Sequence, residues 1–405
     1  MRVVGSIKRA SARSAGVAAV AIGLVAAGIT PALAAPAPSG GTVAAEHSAT
    51  AIPGSYIVTL KSNAGFQAES AKGKDLAGKY GAKVKHTYTT ALNGFSANMT
   101  AQQARRMAAD PSVALVEQDQ VVRADTTQPS PPSWGLDRID QANLPLDNSY
   151  TYPNAAGGGV TVYVIDTGVR ITHNDFGGRA SYGYDAVDND NVAQDGNGHG
   201  THVAATIAGS SYGVAKAAKI VAVRVLDNGG SGTTSGVISG IDWVTANAQL
   251  PAAANMSLGG GASTSLDNAV KRSISAGVTY AVAAGNNGVN AANSSPARVT
   301  QAITVGATSN TDTKASWSNY GSVLDLFAPG VNITSAWNTS NSATNTISGT
   351  SMASPHVAGA AAVYLSTHPS ASPASVSSAL VAAATTGKVK SPGSGSPNRL
   401  LRVTG

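Results

Sequence analysis

The chain contains no cysteine among its 405 residues. This excludes disulfide bonds, thiolate nucleophiles and cysteine-ligated metal sites. Exported proteins often use disulfides to fix long loops, so an exported chain of this composition must hold its loops by packing and by bound cations. Glutamate is also absent after residue 126, where every acidic residue is Asp. Asp suits turns, helix caps and calcium-binding loops, although a general bias in composition would produce the same pattern.

Excess positive charge is absent from the larger part of the chain. Residues 1–125 carry thirteen Lys and Arg against seven Asp and Glu, whereas residues 126–405 carry fourteen of each. A nucleic-acid-binding protein needs a basic patch in its folded form, and residues 126–405 offer none. We therefore expect no nucleic-acid partner.

Long apolar runs are absent after residue 35, so we expect the exported product to make no membrane contact. Before that point, basic residues precede an apolar run over residues 16–29, and small residues stand at Ala32, Ala34 and Ala35. This is the pattern of a secretory signal peptide over residues 1–35. A membrane anchor is the alternative, but roughly 14 apolar residues fall short of the 20 or so that span a bilayer. We expect a secreted, extracellular protein.

The next segments predict a small domain. Residues 36–52 are rich in Ala, Pro, Gly, Ser and Thr and are interpreted as a flexible lead-in. Hydrophobic periodicity then predicts a β-α-β-β-α-β order, which is a ferredoxin-like α+β unit. Its predicted elements are strand 55–60, helix 64–80, strands 82–88 and 92–99, helix 101–109 with Thr100 and Gln103 as a capping box, and strand 113–122. A polar, proline-bearing linker over residues 124–133 is a good place for proteolytic cleavage.

Residues 126–405 alternate short apolar runs with small-residue helices. The apolar runs are 160–165, 220–226, 252–258, 278–283 and 302–306, and the predicted helices are 198–209, 235–248, 265–276 and 351–368. This alternation predicts an α/β fold, a doubly wound, mostly parallel sheet with helices on both faces. Ligands of such folds bind beyond the carboxyl ends of the strands, where Asp166 falls.

Three short motifs carry an acid, a base and a nucleophile: Asp166 in Val-Ile-Asp-Thr-Gly, His199 in Gly-His-Gly-Thr-His and Ser351 in Gly-Thr-Ser-Met-Ala-Ser-Pro. A serine hydroxyl becomes a nucleophile when an imidazole takes its proton, and a carboxylate fixes the imidazole's tautomer and stabilises its charge. Ser351 is predicted to open a helix whose positive dipole end lies near developing negative charge. Pro355 is placed in about the first turn of that helix, where a missing amide proton costs least.

Residues 126–405 resemble a subtilisin-like serine protease of the proteinase K and aqualysin type. The resemblance rests on segments 195–202 and 349–359, which follow Val-Ile-Asp-Thr-Gly in that order. Residues 53–122 resemble the inhibitory propeptide of that family. The resemblance implies that Asp166, His199 and Ser351 are catalytic. It also implies an oxyanion hole formed by the Asn286 side chain and the Ser351 backbone N–H.

Further binding segments follow from the resemblance. Two segments are expected to flank an extended peptide substrate, Gly230-Ser231-Gly232 and Ser257-Leu258-Gly259. The pocket for the residue before the cleaved bond is expected between Ser257–Gly260 and the segment Ala283-Ala284-Gly285-Asn286. No acid stands in these segments, so we expect broad endopeptidase activity that prefers apolar or aromatic residues over Lys and Arg.

The resemblance also implies structural calcium. One site would use Asp137, Asp140 and Gln141 in the aqualysin-like stretch 134–141, and another would use Asp325 with the carbonyls of Thr300 and Ala302. Solvated surface acids are the alternative interpretation. The disulfides common in the proteinase K branch cannot form here, so the stability of those relatives cannot be carried over to this chain.

The resemblance implies a zymogen. Residues 53–125 would assist folding and inhibit the catalytic domain, residues 126–405. The stretch 121–125 would lie in the active site until the chain cleaves itself near residues 124–126. We expect a monomer that acts on proteins and peptides and has its own propeptide as a partner.

Other functions are disfavoured by single features. His202, three residues after His199, suggests a metal pair, but the metalloprotease motif His-Glu-x-x-His needs a Glu that is absent, so His202 and His356 are interpreted as structural. A secreted lipase or esterase would need a second glycine in Gly-x-Ser-x-Gly and the order Ser, Asp, His. A catalytically dead, protease-like binding module would lack part of one motif, and all three are intact.

Overall fold

A computed structural model describes residues 40–46, 48, 51–120 and 125–403. The predicted signal peptide and most of the predicted cleavage region, residues 121–124, lie outside the described residues. The chain divides into two compact units, one ending at Val122 and one beginning at Arg123. In the described part, no helix has the length and apolar character that would let it span a bilayer.

The first unit has the predicted ferredoxin-like order of elements. Its four strands form one antiparallel sheet in the order β2-β3-β1-β4, and its core lies around Val58, Phe95 and Met107. The elements are β1 (Ala51–Leu60), α1 (Ala71–Lys79), β2 (Lys83–Tyr88), β3 (Gly94–Asn98), α2 (Ala101–Ala108) and β4 (Val113–Gln120).

The start of the first helix is a correction. The predicted helix 64–80 begins at Ala71, because the Ser70 side chain caps it by accepting the Gly73 N–H at 3.3 Å. Upstream, the Ala68 N–H bonds instead to the Asn93 side chain at 2.9 Å, which holds that stretch outside the helix. The capping box of α2 is confirmed, with Thr100 and Gln103 bonding each other's backbone N–H groups.

The second unit is built on a nine-stranded sheet. The strand order is β18-β19-β15-β14-β12-β10-β7-β9-β8, and every pair is parallel except β18 and β19. Its strands are β7 (Thr161–Asp166), β8 (Ala180–Asp185), β9 (Lys219–Arg224), β10 (Ala252–Met256), β12 (Thr279–Ala283), β14 (Ile303–Thr308), β15 (Leu326–Pro329), β18 (Thr385–Thr386) and β19 (Arg399–Leu400).

Helices and small strand pairs complete this unit. The helices are α3 (Trp134–Ile139), α4 (His199–Ala208), α5 (Thr234–Asn247), α6 (Thr264–Ser275), α7 (Thr350–Thr367) and α8 (Pro373–Ala383). The paired short strands are β5 (Asp125–Pro129) with β6 (Ser149–Pro153), β11 (Gly260–Gly261) with β13 (Ser294–Ser295), and β16 (Ile333–Ala336) with β17 (Thr344–Ile347). Two 3₁₀ turns lie at Asn174–Phe176 and Ala291–Asn293.

The sheet is covered on both faces, as the alternation of strands and helices predicted. Along β7, Val162 and Val164 join the core formed with α4, α7 and α8, while Tyr163 and Ile165 join the core formed with α5 and α6. Because both faces are buried, the strand is apolar at successive positions. At its carboxyl end stands Asp166, paired in register with Arg224 on β9.

Candidate active site

Asp166 and His199 are brought into direct contact. Asp166 is fully buried at the end of β7, and its Oδ1 lies 2.7 Å from Nδ1 of His199, the first residue of α4. A carboxylate only accepts hydrogen bonds, so Nδ1 carries the proton and Nε2 presents a lone pair. The His199 side chain keeps 24 % of its surface exposed, which leaves Nε2 within reach of a substrate.

The contact is set by the backbone around it. Gly200 lies so close to Gly168 that a Cβ atom at position 200 would overlap the Gly168 carbonyl oxygen. The Thr167 hydroxyl accepts the Gly200 N–H at 2.9 Å and donates to Asp195 at 2.9 Å. The turn after β7 and the start of α4 are therefore in direct main-chain contact, and the Thr167 hydroxyl links them by a hydrogen bond.

Asp195 organises the loop that precedes His199. Its buried carboxylate accepts the backbone N–H groups of Asn197, Gly198 and Thr201 at 2.8–2.9 Å, and also the Thr201 hydroxyl. The sequence motif contained Asp195, but its function as the acceptor for this loop was not predicted.

The pKa of His199 reflects two opposing effects. Burial alone would lower the pKa, because it penalises the charged ring. The charge of Asp166, its hydrogen bond to the ring and the charge of Asp195 together raise the pKa above its usual value. The site therefore stabilises an imidazolium, the form that a general base takes after it accepts a proton.

Ser351 is the second residue of α7, and Pro355 explains part of its environment. Pro355 lies inside α7, one turn beyond the position expected from the sequence. It has no N–H to bond the Ser351 carbonyl, so that oxygen instead accepts the Ser257 hydroxyl at 2.7 Å. The Ser351 hydroxyl donates to the Ser257 carbonyl at 3.1 Å, and the described residues show no hydrogen bond between it and His199.

Asn286 is held with its amide donor free. Its Oδ1 accepts both the backbone N–H and the hydroxyl of Thr350 at 2.9 Å. A backbone N–H can only donate, so the oxygen must face Thr350 and the Nδ2 group must point away. Thr350 is fully buried, and its hydroxyl also accepts the Gly285 N–H at 3.1 Å. This places a fixed donor close to the start of α7, on the residue expected to form the oxyanion hole.

Asn319 supports the loop that carries Asn286, and no local pattern in the sequence pointed to it. Its buried side chain donates to the Ala284 carbonyl at 2.9 Å and accepts the N–H groups of Asn287 and Val289 at 3.1 Å. It follows Asn286 by more than thirty residues, which is why no motif around Asn286 contains it.

A cleft of about 560 Å³ runs past His199. Its lining contains both predicted substrate-flanking segments, Gly230–Gly232 and Ser257–Gly259, and carries no acidic or basic side chain except His199. Ala283, Ala284 and Gly285 do not line this cleft. They lie at the end of β12 and just after it, and β12 pairs with β10, so they lie beside the Ser257 segment at the same edge of the sheet.

His202 and His356 face the interior. Both are fully buried, and each bonds a backbone carbonyl, His202 to Ile333 at 3.0 Å and His356 to Met352 at 2.8 Å. Burial lowers the pKa of His202 to about 3 and that of His356 to about 4, so both rings are neutral near pH 7. These contacts fit the structural function predicted for them.

The predicted calcium ligands fall in two places. Asp137 accepts the N–H groups of Asp147 and Asn148, while Gln141 accepts the same Asp147 N–H. Asp140 accepts the Thr151 N–H through Oδ2, and its buried Oδ1 has no hydrogen-bond partner among the described residues. Burial and the charges of Asp147 and Asp137 raise the pKa of Asp140 to about 6.

The second place is around Asp325. Its Oδ2 accepts the Thr304 N–H at 2.8 Å, and burial raises its pKa to about 6. Thr300 and Ala302 precede β14, whose Val305 pairs with Leu326 beside this carboxylate. Within the described ranges, no group of three or more His, Asp or Glu side chains is arranged to hold a metal ion.

Comparison with known proteins gives two family matches. A model described as the Subtilase family matches residues 157–401, and one described as Peptidase inhibitor I9 matches residues 55–125. Together they span most of the chain that follows the predicted signal peptide.

Individual proteins are similar over nearly the whole chain. An extracellular serine proteinase of Thermus sp. (strain Rt41A) is 54% identical over an alignment of 372 residues that covers 87% of this chain and 90% of that protein. A cuticle-degrading serine protease of Arthrobotrys oligospora is 43% identical, covering 87% of this chain and 91% of that protein. The crystal structure of a cold adapted subtilisin-like serine proteinase matches with 57% identity and a TM-score of 0.65, covering 66% of this chain and 97% of that one.

Proposed function

The chain belongs to the subtilase family and is a serine endopeptidase, and from this premise we propose that it hydrolyses peptide bonds through Asp166, His199 and Ser351. The observation that carries the proposal is the 2.7 Å contact between Asp166 and His199 Nδ1. It leaves Nε2 as a base beside a cleft, which is the form that activation of a serine requires.

In the proposed reaction, Ser351 Oγ turns from the Ser257 carbonyl to His199 and attacks the substrate carbonyl. Nε2 takes the hydroxyl proton, and Asp166 stabilises the resulting imidazolium. The tetrahedral oxyanion accepts hydrogen bonds from Asn286 Nδ2 and the Ser351 N–H. The imidazolium then protonates the leaving amine, which leaves an acyl-enzyme. Water, deprotonated by the same nitrogen, releases the acid and restores the serine.

Substrate binding is proposed to follow the two exposed edges of the cleft. An extended peptide adds between segments 230–232 and 257–259 through backbone hydrogen bonds. Segments 257–260 and 283–286, which are proposed to hold the residue before the cleaved bond, contain no carboxylate that would pair with Lys or Arg. We therefore propose broad specificity with apolar or aromatic residues preferred before the cleaved bond.

Maturation is proposed from the inhibitor match. Residues 1–35 would direct export, residues 53–125 would act as the intramolecular inhibitor and folding assistant, and residues 126–405 would form the catalytic domain. Support comes from the I9 match to residues 55–125 and from the Thermus relative, which is named an extracellular proteinase. Cleavage by the chain itself near residues 124–126 would release the enzyme, which we propose acts as a monomer.

Structural calcium is proposed at two places. The partnerless Asp140 Oδ1, beside Asp137, Gln141 and the nearby Asp147, offers the oxygen ligands that calcium prefers. Asp325 with the carbonyls of Thr300 and Ala302 would hold a second ion. Bound calcium would supply positive charge beside these acids, and no catalytic step is assigned to it.

One experiment tests both activity and maturation. Wild type and Ser351→Ala are secreted from the same host, and intact mass, N-terminal sequence and casein hydrolysis are measured. Secreted wild-type protein should begin near residue 126 and cleave casein. Treatment with a serine-directed phosphonyl inhibitor should add one phosphonyl group at Ser351 and abolish this activity. The Ser351→Ala protein should keep its inhibitor region attached. Full maturation of Ser351→Ala in a host without other proteases would refute self-cleavage, and casein hydrolysis by it would refute the nucleophile.

A further inference from the structure

Residues 227–232, which include the substrate-flanking segment 230–232, are exposed and contain three glycines. Its own turn is closed by Asp227, whose carboxylate accepts the N–H groups of Gly229 and Ser231 at 2.9 and 3.0 Å. Such a turn fixes the shape of the segment but not its place on the protein. Glycine-rich chain loses much conformational freedom when it is held still, so a fixed place needs contacts to the rest of the molecule.

Both hydrogen bonds that leave this segment pass through Asn228. Its side-chain oxygen accepts from the Arg224 guanidinium at 3.0 Å, and its backbone carbonyl accepts from the Asn197 side chain at 3.0 Å. The other hydrogen bonds described for residues 227–232 stay within the segment. Asn228 is therefore the point at which this edge of the cleft is attached.

Each partner of Asn228 is itself fixed. The Arg224 guanidinium is buried and bonds the carboxylates of Asp185 and Asp188 at 2.7 and 2.6 Å. The side chain of Asn197 also accepts the backbone N–H of His199 at 3.2 Å. Asn228 thus connects the substrate-flanking segment both to the end of β9 and to the loop that carries the proposed base.

A packing contact supports the same connection. Gly196, in the His199 loop, lies against the Asn228 side chain so closely that a Cβ atom at position 196 would overlap its amide. The missing side chain at Gly196 makes the space that the amide of Asn228 occupies. Loop and segment are therefore matched in shape as well as in hydrogen bonding.

We propose that Asn228 is a positioning residue, which sets the distance between substrate-flanking segment 229–232 and the His199 loop through its bonds to Arg224 and Asn197. This rests on the proposed protease function. Asn228 does not line the cleft, so it acts on the substrate only through the segment that it attaches. Its contribution should therefore depend on how much of the substrate lies along that segment.

The test compares two substrates on purified mature enzyme. A succinylated tetrapeptide anilide ending in Phe extends along segment 229–232, whereas N-acetyl-tyrosine ethyl ester does not reach it. In Asn228→Ala, kcat/KM for the tetrapeptide should fall about tenfold, the effect of losing one hydrogen bond to a charged group. The ester should lose no more than about threefold. Asn228→Asp keeps an oxygen acceptor for Arg224 and should restore the ratio of the two values.

Two further variants complete the design. Asn310→Ala removes an exposed asparagine from a loop outside the cleft lining and should leave the ratio as in wild type. Asn228→Ser, whose hydroxyl is too short to reach the guanidinium, decides the question where Asn228→Ala does not fold. Parallel losses on both substrates, or no loss on the tetrapeptide, would overturn the inference. A wild type that cleaves neither substrate would instead refute the protease function.

Discussion

Ser257 and Ser351 exchange two hydrogen bonds, each hydroxyl donating to the other residue's carbonyl, at 2.7 and 3.1 Å. The first bond exists because Pro355 leaves the Ser351 carbonyl without its helical partner. The Ser257 hydroxyl also accepts from Asn255, whose oxygen in turn accepts from Ser354. The proposed nucleophile is thus tied to the proposed substrate-flanking segment before any substrate arrives.

Replacing Ser257 by Ala should cost both stability and rate. The Ser351 carbonyl and the Asn255 amide each lose a buried partner, which costs about 1–3 kcal/mol per group. We expect a lower Tm and a kcat about tenfold below wild type in peptide hydrolysis. Ser239→Ala removes an exposed hydroxyl on α5 and should change neither quantity. Wild-type kcat and Tm in Ser257→Ala would show that the pair has no function.

The acid limb of the pH–rate profile should have its midpoint at a raised pH. His199 must be neutral to act as a base, and its raised pKa means that activity falls as pH decreases through a midpoint above the ordinary pKa of histidine. Asp195→Asn removes one of the charges that raise this pKa, so the midpoint of kcat/KM should move to lower pH. Asp242→Asn, an exposed acid on α5, should leave it in place. A midpoint unmoved in Asp195→Asn would contradict the assignment.

Asn286→Ala should act on the transition state rather than on binding. Loss of an oxyanion donor typically lowers kcat by about 10²–10³, with KM little changed. Thr350→Val removes one of the two hydrogen bonds that orient the Asn286 amide and keeps the one from the backbone N–H, so a smaller loss of kcat is expected in steady-state assays. Asn287→Ala, the exposed neighbouring asparagine, is the matched control and should retain wild-type kcat. Equal kcat in Asn286→Ala and wild type would remove Asn286 from the proposed site.

The preference for the residue before the cleaved bond should reflect the absence of acids from its expected pocket. In a series of tetrapeptide anilides that differ in the residue before the cleaved bond, Phe and Leu should exceed Arg and Lys at least tenfold in kcat/KM. A buried, unpaired positive charge is costly, and segments 257–260 and 283–286, which are expected to form the pocket, contain no acid to offset it. A preference for Arg would require an acid that reaches the pocket from elsewhere, and it would overturn the specificity proposed above.

Removal of calcium should lower thermal stability. A ligand present at a hundred times its Kd stabilises by about 2.7 kcal/mol, so a chelator should lower the Tm of inhibited enzyme by several degrees. Asp140→Asn should reduce this calcium-dependent shift, and Asp140→Asn combined with Asp325→Asn should abolish it. Asp242→Asn should preserve it in full. An identical Tm with and without chelator would eliminate both proposed sites.

The sequence was most informative for residues whose proposed function belongs to a short local motif. Asp166, His199 and Ser351 each lie in a short distinctive segment at the end of a strand or the start of a helix. The strands could be predicted because both faces of the sheet are buried, which makes residues 162–165 of β7 apolar at every position.

What the sequence could not predict depends on partners distant along the chain. Asn319 supports the oxyanion loop and Thr350 fixes the amide of Asn286, but neither contact leaves a pattern in the residues around Asn286. The start of α1 was misplaced for the same reason, since Asn93 holds Ala68 outside the helix. Such contacts are tertiary, and periodicity reports only local preference.

The close approach of Gly168 and Gly200 has a consequence for recombination among relatives. Because the fit is between main-chain atoms, a chimera that takes residues 166–168 from one parent and residues 195–201 from another keeps it when the second parent has glycine at position 200. Any other residue there would push the two segments apart, and Asp166 and His199 with them.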